Sequence, residues 1–251
     1  MQAPTASELL TVWECARAQP VETQSLILLA AASTGAHSQD LAKLSVGLRD
    51  ARLLALRESL FGPRLAGLTH CPKCGQQLEL SIDAANLRTD ADPPAVEALT
   101  VSSGSYMARF RLPNSEDLAA IAGAPEKDEA TSVHMLLSRC LVEVRRNGRR
   151  KSLDSSRSLP QSLIDAIAAE MERADPQANV QLSLHCADCR HQWLSTVDIV
   201  SFLWSEIDNW ARRILGEVCV LASAFGWREA DILAMSAQRR QLYLQMIGEG
   251  I

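Results

Sequence analysis

Two short cysteine loops decide the fold of this chain, Cys71-Pro-Lys-Cys74 and Cys186-Ala-Asp-Cys189. In each loop two residues separate the cysteines, a spacing that lets both sulfurs face one metal ion. Together the loops supply four thiolates, the full ligand set of a closed tetrahedral zinc site. The sequence therefore predicts that the loops are two halves of one structural zinc ribbon that binds Zn²⁺.

The residues that follow the two loops share one layout. Apolar residues alternate with polar ones after each loop, and an aspartate comes at the same distance from the first cysteine, as Asp83 and as Asp198. Alternation with a period of two is typical of a β-strand. A histidine also precedes each loop, His70 in one copy and His185 in the other. The chain is therefore predicted to contain a strand-loop-strand unit twice.

Other interpretations of the cysteines remain open at the level of sequence. A single C-x-x-C pair can be a chance occurrence or a redox site, but a thioredoxin-like site has one such motif within a βαβ pattern. Two separate metal sites completed by histidines such as His70 or His191, or no metal at all, are the alternatives to one shared site. A site with four thiolates leaves no coordination position for water or substrate, which favours a structural role over hydrolysis.

The composition predicts a globular, helix-rich protein, because 47% of the residues are hydrophobic and only 4% are aromatic. The net charge of −5 gives no surplus of cations to neutralise phosphates, so we expect no nucleic-acid partner. No stretch has the length of a membrane span, and no signal peptide is predicted. Cys15, Cys140 and Cys219 are predicted to be free thiols in a reducing compartment.

Periodicity divides the chain into three segments. We predict a helical segment over residues 1–68, a zinc-ribbon β domain over 69–198 with inserted helices at about 114–175, and a second helical segment over 199–251. A small antiparallel sheet is expected beside the first cysteine loop. The predicted fold class is α+β, mainly α, with a split four-cysteine zinc ribbon. The apolar stripes of the N-terminal helices are predicted to be core, and a partner-binding groove is the alternative.

The sequence of residues 141–153 predicts a β-hairpin, because Asn147-Gly148 is the strongest short-range hairpin signal. Five basic residues flank this turn. They are predicted to form a solvated tip, and contact with phosphate or an acidic partner is the alternative. The five residues are Arg145, Arg146, Arg149, Arg150 and Lys151.

Apolar residues recur every three or four positions from Leu203 to Phe225, which predicts one long amphipathic helix ending at Gly226. The sequence pattern places Trp210 in this apolar seam. The seam is predicted to pack either on the N-terminal helices or on a partner. The same third of the chain is rich in aromatic residues that serve as interface anchors. The predicted partner-binding residues are Trp204, Trp210, Trp227 and Tyr243.

No catalytic motif stands out in the sequence. A phosphate-binding glycine loop, a G-x-S-x-G elbow, an H-E-x-x-H helix and an evident triad are all lacking. His37 and His134 stand alone, and a lone histidine in a helical stripe is more often structural than catalytic. The chain is therefore predicted not to be an enzyme.

Several motifs, in order along the chain, resemble the T-even phage type baseplate hub assembly family of contractile tails and contractile injection systems. The longest is residues 49–62, Arg-Asp-Ala-Arg-Leu-Leu-Ala-Leu-Arg-Glu-Ser-Leu-Phe-Gly, which leads into the first cysteine loop. The others are Leu-Glu-Leu at 78–80, Arg-Leu-Pro at 111–113 with Asp117, the second loop through Trp193, and Gly-Trp-Arg-Glu-Ala-Asp-Ile-Leu at 226–233 followed by Ser236, Arg239, Arg240, Tyr243 and Leu244.

This resemblance implies a non-enzymatic protein that builds the baseplate hub or the spike region, as an assembly chaperone or a minor structural component. The implied partners are hub or spike proteins, and the implied location is the bacterial cytoplasm or a phage-tail-like particle. A zinc-ribbon module that binds nucleic acid or acts in transcription is the alternative from a different functional class. The acidic balance and the C-terminal tryptophans favour the assembly role.

Overall fold

The computed structural model describes residues 3–33, 38–89, 98–125, 128–151 and 159–248, so His37 lies outside the described residues. The chain forms two compact units. One unit comprises the residues up to Ala36 and from Asp198 onward, and the other is His37–Val197. The architecture is mainly helical with small antiparallel sheets, which confirms the predicted fold class.

The helices are α1 (Ala6–Ala16), α2 (Val21–Ala32), α3 (Ser38–Ala42), α4 (Val46–Phe61), α5 (Ser115–Ala122), α6 (Glu129–Cys140), α7 (Gln161–Ala174), α8 (Ile199–Phe225), α9 (Glu229–Leu233) and α10 (Ala237–Gly248). The strands are β1 (Arg64–His70), β2 (Gln77–Asp83), β3 (Leu99–Ser103), β4 (Tyr106–Phe110), β5 (Leu141–Arg146), β6 (Arg149–Lys151), β7 (Gln181–His185) and β8 (Gln192–Thr196). Two short 3₁₀ turns cover Ala84–Leu87 and Pro176–Asn179.

The unit that joins the two chain ends is helical and is organised around α8. The apolar seam of α8 is buried in this unit, where α8 contacts α1 and α2, so the seam is core and not a free docking surface. Two positions differ from the sequence pattern: Trp210 is half-buried while Ala211 occupies the buried stripe, and Phe225 at the end of the seam is half-buried. The indole N–H of Trp13 donates to Asp208 Oδ1 at 2.9 Å, which ties α1 to α8. Gly226, at φ 70°, ends the helix as predicted.

The unit of residues 37–197 contains a four-stranded antiparallel sheet with strand order β3-β4-β5-β6. Its apolar face packs against α7, with Phe110, Val144 and Ile167 in the shared core. The sequence predicted one small sheet beside the first cysteine loop, and the structure differs from this prediction. Strand β2 pairs with β1 in a separate two-stranded sheet, and β3 and β4 form their sheet with β5 and β6. The Asn147-Gly148 turn is confirmed, with both residues at positive φ, as a type I′ hairpin requires.

A buried carboxylate joins α5 and α6 to this sheet. Asp117 is fully buried, caps α5 with Asn114, and accepts two hydrogen bonds from Arg111, at 2.6 and 2.9 Å. Arg139 of α6 donates a further bond at 2.8 Å. Burial alone would raise the pKa of Asp117, but the bonds from Arg111, Asn114 and Arg139 outweigh it and hold the pKa below its usual value. The Arg-Leu-Pro motif and Asp117 therefore have a structural role.

Candidate metal centre

The four cysteines of the two loops meet at one point of the structure. Cys71 Sγ lies 3.6 Å from Cys189 Sγ, and Cys74 Sγ lies 3.7 Å from Cys186 Sγ. All four sulfurs lie within 4.8 Å of one another, and all four thiols are free. The structure therefore brings together exactly the residues that the sequence proposed as metal ligands.

The spacing of the sulfurs fits a zinc ion. Four sulfurs at tetrahedral Zn–S distances of about 2.3 Å are separated from one another by about 3.8 Å. The two closest contacts between the loops, 3.6 and 3.7 Å, match this separation and far exceed the length of a disulfide bond. Four thiols within 4.8 Å of one another therefore fit Zn²⁺ as the ligand set of one ion.

Each loop is closed by the same pair of backbone hydrogen bonds. In the first loop Cys71 N donates to Gln76 O, and Gly75 N donates to Cys71 O, both at 2.9 Å. In the second loop Cys186 N donates to His191 O at 2.9 Å, and Arg190 N donates to Cys186 O at 3.0 Å. These bonds turn the chain back on itself, so that both sulfurs of a loop point to the same side.

The flanking elements repeat as the sequence predicted. Strands β1 and β2 form an antiparallel hairpin around the first loop, and β7 and β8 form the second. The two aspartates at matching positions both cap the next element. Asp83 accepts from Ala85 N at 2.9 Å, and Asp198 accepts from Ser201 N at 3.0 Å. The strand-loop-strand unit is therefore present twice, and the aspartate that ends each unit is the N-cap of the next element.

The sulfurs influence one another's ionisation. Burial raises the pKa of Cys71, but backbone amide bonds from Cys74 and Lys73 outweigh it and bring this pKa to about 7. For Cys74, a backbone hydrogen bond from Gln76 lowers the pKa, while the neighbouring sulfurs, Cys189 first, and burial raise it to about 12. Thiolates this close repel one another, so a bound cation is what allows all four to ionise together.

No histidine completes the site within the described residues, where only the four cysteines form a group of possible ligands at this point. His70 is exposed at the end of β1, and His191 stacks on Trp193 with ring centroids 5.9 Å apart. The geometry therefore favours one shared site over two separate sites with histidine ligands.

The two hairpins belong to separate two-stranded sheets, so contacts elsewhere in the unit position them. The first hairpin follows α4, where buried Arg57 donates to Gly62 O and Arg64 O, both at 2.7 Å. Next to the second hairpin, Gln177 accepts from Thr89 N at 2.9 Å and donates to Leu87 O at 3.0 Å. Gln177 thus links the end of the first hairpin region to the segment that leads into the second.

A second contact links α4 to the same segment. Asp175 Oδ2 accepts from Gly47 N at 2.9 Å, which satisfies a free amide in the first turn of α4. A Cβ at Gly47 would lie 2.8 Å from Ala178 N and would overlap the Asp175 carboxylate. Sequence reasoning missed Gly47, Asp175 and Gln177. The only local signals were a glycine inside a helical pattern and a polar pair flanking Pro176.

The predicted partner-binding aromatics separate into two groups. Trp227 and Tyr243 form a cluster with Phe225, with ring centroids 4.5 to 5.8 Å apart. Trp204 and Trp210 are half-buried on α8 and make no ring contact with this cluster. Leu242 and Met246 of α10 are about half exposed, at 55% and 47%. Across the described ranges, no helix combines the length and the apolar character that a membrane span needs.

Comparison with models of known protein families gives a match over most of the chain. A family model described as T4 bacteriophage base plate protein matches residues 9–204, a range that includes both cysteine loops and most of the chain. Neither a curated protein nor a solved structure matches the sequence.

Proposed function

The chain belongs to the T4 bacteriophage base plate protein family, and we propose that it is a non-enzymatic assembly factor or minor structural component of the baseplate hub. The observation that carries this proposal is the family match over residues 9–204. The closed four-cysteine centre supports it, because such a site has no open position for catalysis. The particle in question is a phage tail or a related contractile injection system.

The proposed zinc ion has a structural role. Cys71 and Cys74 from one hairpin, with Cys186 and Cys189 from the other, would hold it as thiolates. Since no strand pairing joins the two hairpins within the described residues, the ion would supply the direct link between them. Metal binding would then contribute to the folding of the unit formed by residues 37–197.

We propose that hub or spike proteins dock on the C-terminal helices. The docking surface comprises Trp227 and Tyr243, with exposed Leu242 and Met246 on α10, and extends to Trp204 and Trp210 of α8. A surface with aromatic anchors and adjacent exposed aliphatic groups is typical of a protein interface. Association of this kind takes place in the bacterial cytoplasm during particle assembly.

Co-expression with the hub and spike proteins of the same particle tests this proposal. We expect the chain to co-purify with one of them, and the double variant Trp227→Ala/Tyr243→Ala to lose that partner while its melting temperature falls only slightly. The matched control is Leu194→Ala, which removes an exposed side chain from β8 and leaves co-purification intact. Particles that assemble at full yield without this gene would overturn the proposed role. Retention of the partner by the double variant would overturn the docking surface.

A further inference from the structure

The four-stranded sheet has one face that is not covered by α7. Residues alternate between the faces of a strand, so the burial of Ala108 and Val144 places Arg109 and Arg145 on the opposite, solvent side. Strand register adds Arg150, which lies directly across from Arg145. Three arginines from three neighbouring strands therefore share this exposed face.

More cations surround the tip of the β5–β6 hairpin. The Arg146 guanidinium lies 5.4 Å from the centre of the Tyr106 ring, and Lys151 Nζ lies 5.8 Å from it. Arg149 pairs with Arg146 across the hairpin. By the same alternation, Arg146, Arg149 and Lys151 lie on the opposite face, that of Val144. We refer to the three residues of the exposed face, Arg109, Arg145 and Arg150, as the basic sheet surface.

The folded chain gains little from this clustering of charge. Two pairs of like charges stand directly opposite each other, Arg145 with Arg150 and Arg146 with Arg149, an arrangement that destabilises a sheet. Within the described residues, one carboxylate, that of Glu143, lies on the same face as Arg145 and Arg150. Glu143 accepts from Arg145 Nε at 2.9 Å and lies 3.5 Å from Arg150 Nε, and these cations, Arg145 first, lower its pKa. Among the described residues of this face, three arginines against one carboxylate leave a local positive charge in a chain of net charge −5.

We infer that the basic sheet surface binds an acidic segment of a partner protein; this identifies the chemistry of a partner and rests on the proposed function. Its three cations are all arginines, whose planar guanidinium groups pair with carboxylates through two hydrogen bonds. Pairing with carboxylates would relieve the repulsion between Arg145 and Arg150. Charge complementarity of this kind also accelerates the encounter of two proteins.

The same surface is poorly suited to nucleic acid. Tyr106 lies on the opposite face of the sheet, where Arg146 and Lys151 contact its ring, so it offers a base no stacking platform on this surface. Glu143 stands in the middle of the exposed face, where it would repel a continuous phosphate backbone. The acidic balance of the whole chain adds to this repulsion.

Fluorescence anisotropy with a labelled oligo-glutamate peptide tests the inference, with an oligo-thymidylate of equal charge as the competing probe. The test variant is R145E/R150E, whose side chains are 44% and 74% exposed. The matched control is R173E/R212E, which reverses two arginines that are 72% and 68% exposed and are likewise paired with a carboxylate. We expect the full chain to bind oligo-glutamate, and R145E/R150E to weaken this binding by about tenfold or more. The control should lower the affinity by less than about twofold.

Three results would overturn the inference. The first is that the full chain does not bind oligo-glutamate. The second is that the control variant loses as much affinity as R145E/R150E, which would show a general charge effect. The third is tighter binding of oligo-thymidylate that R145E/R150E abolishes, which would make this a nucleic-acid surface. None of these results bears on the proposed function. That function is tested separately, by whether the chain restores particle assembly.

Discussion

The two cysteine loops have the same hydrogen bonds but differ in the residue that follows the second cysteine. Gly75 occupies this position in the first loop at φ 75°, and Arg190 occupies it in the second loop at φ 59°. A left-handed conformation costs glycine almost nothing and costs other residues about 1 to 2 kcal/mol. Loop closure around the sulfurs therefore imposes the left-handed conformation, even where the side chain disfavours it.

The hairpins around the loops also share an exposed apolar residue. Leu68 of β1 is 63% exposed opposite Glu79, and Leu194 of β8 is 66% exposed opposite Ser183. These two cross-strand pairs stand at the same distance from their cysteine loops. Neither hairpin therefore buries both of its faces, and the short strands by themselves supply little core. We therefore expect the proposed zinc ion to supply much of their stability.

The largest expected effect comes from removing a ligand in either loop. Cys71→Ser and Cys186→Ser should each destabilise the chain by several kcal/mol, on the order of 3 to 5, because both remove a thiolate from the same ion. Cys219→Ser is the matched control, since Cys219 is an exposed free thiol. Thermal unfolding measures the three variants. Equal melting temperatures for Cys186→Ser and Cys219→Ser would contradict the ligand assignment.

The contact between α4 and the segment before β7 gives the next largest effect. Gly47→Ala should destabilise the chain by about 1 to 3 kcal/mol, because the new methyl group would collide with Asp175 and Ala178. Gly216→Ala in α8 is the control. It meets no atom within 4 Å, and the better helix propensity of alanine should stabilise the chain by up to about 1 kcal/mol. If denaturant unfolding shows the same sign for both variants, this contact does not position the hairpins.

Reciprocal substitutions at the residue after the second cysteine of each loop test the cost of the left-handed conformation. Gly75→Ala should destabilise the chain by about 1 kcal/mol, and Arg190→Gly should stabilise it by up to about 1 kcal/mol, because φ is positive at both positions. Chemical denaturation of zinc-loaded samples measures both. If Arg190→Gly instead destabilises the chain, the Arg190 side chain makes a contribution that outweighs its backbone strain.

The capping aspartates give the smallest expected difference. Asp198→Ala should cost about 1 kcal/mol, because Asp198 caps the long helix α8. Asp83→Ala should cost less, because Asp83 caps only the four-residue turn Ala84–Leu87. Asn substitutions at the same positions retain the cap and serve as controls. A larger loss of stability for Asp83→Ala than for Asp198→Ala would show that the turn after β2 contributes more to stability than its length suggests.

The sequence predicted the features that depend on local pattern. The repeated strand-loop-strand unit followed from C-x-x-C spacing and alternation, the β5–β6 turn from Asn147-Gly148, and α8 from apolar spacing that ended at Gly226. These signals are local because each needs only a few consecutive residues to set backbone geometry. For the same reason they predicted that the four cysteines could meet, but not which contacts bring them together.

Non-local contacts lay beyond sequence reasoning. Nothing near Gly47 indicates that Asp175 accepts a hydrogen bond from the first turn of α4. Nor does the local sequence show that α3 and α4, which the sequence grouped with residues 1–68, lie in the unit of the cysteine hairpins. Strand partners were equally ambiguous, because alternation predicts a strand but does not choose β1 over β3 as the neighbour of β2. Trp210 and Ala211 both satisfy helical spacing, and only packing decides which residue is buried.

The zinc content of the folded chain, and its dependence on both loops, tests whether the two loops form one structural metal site. Native mass spectrometry, checked by elemental analysis, should find one zinc per chain in the unmodified protein and none in a Cys71→Ser/Cys186→Ser variant. Chelation should increase amide hydrogen exchange in β1, β2, β7 and β8 more than in α8. A folded, unmodified chain with less than about half an equivalent of zinc would contradict the central claim that the two loops form one structural metal site.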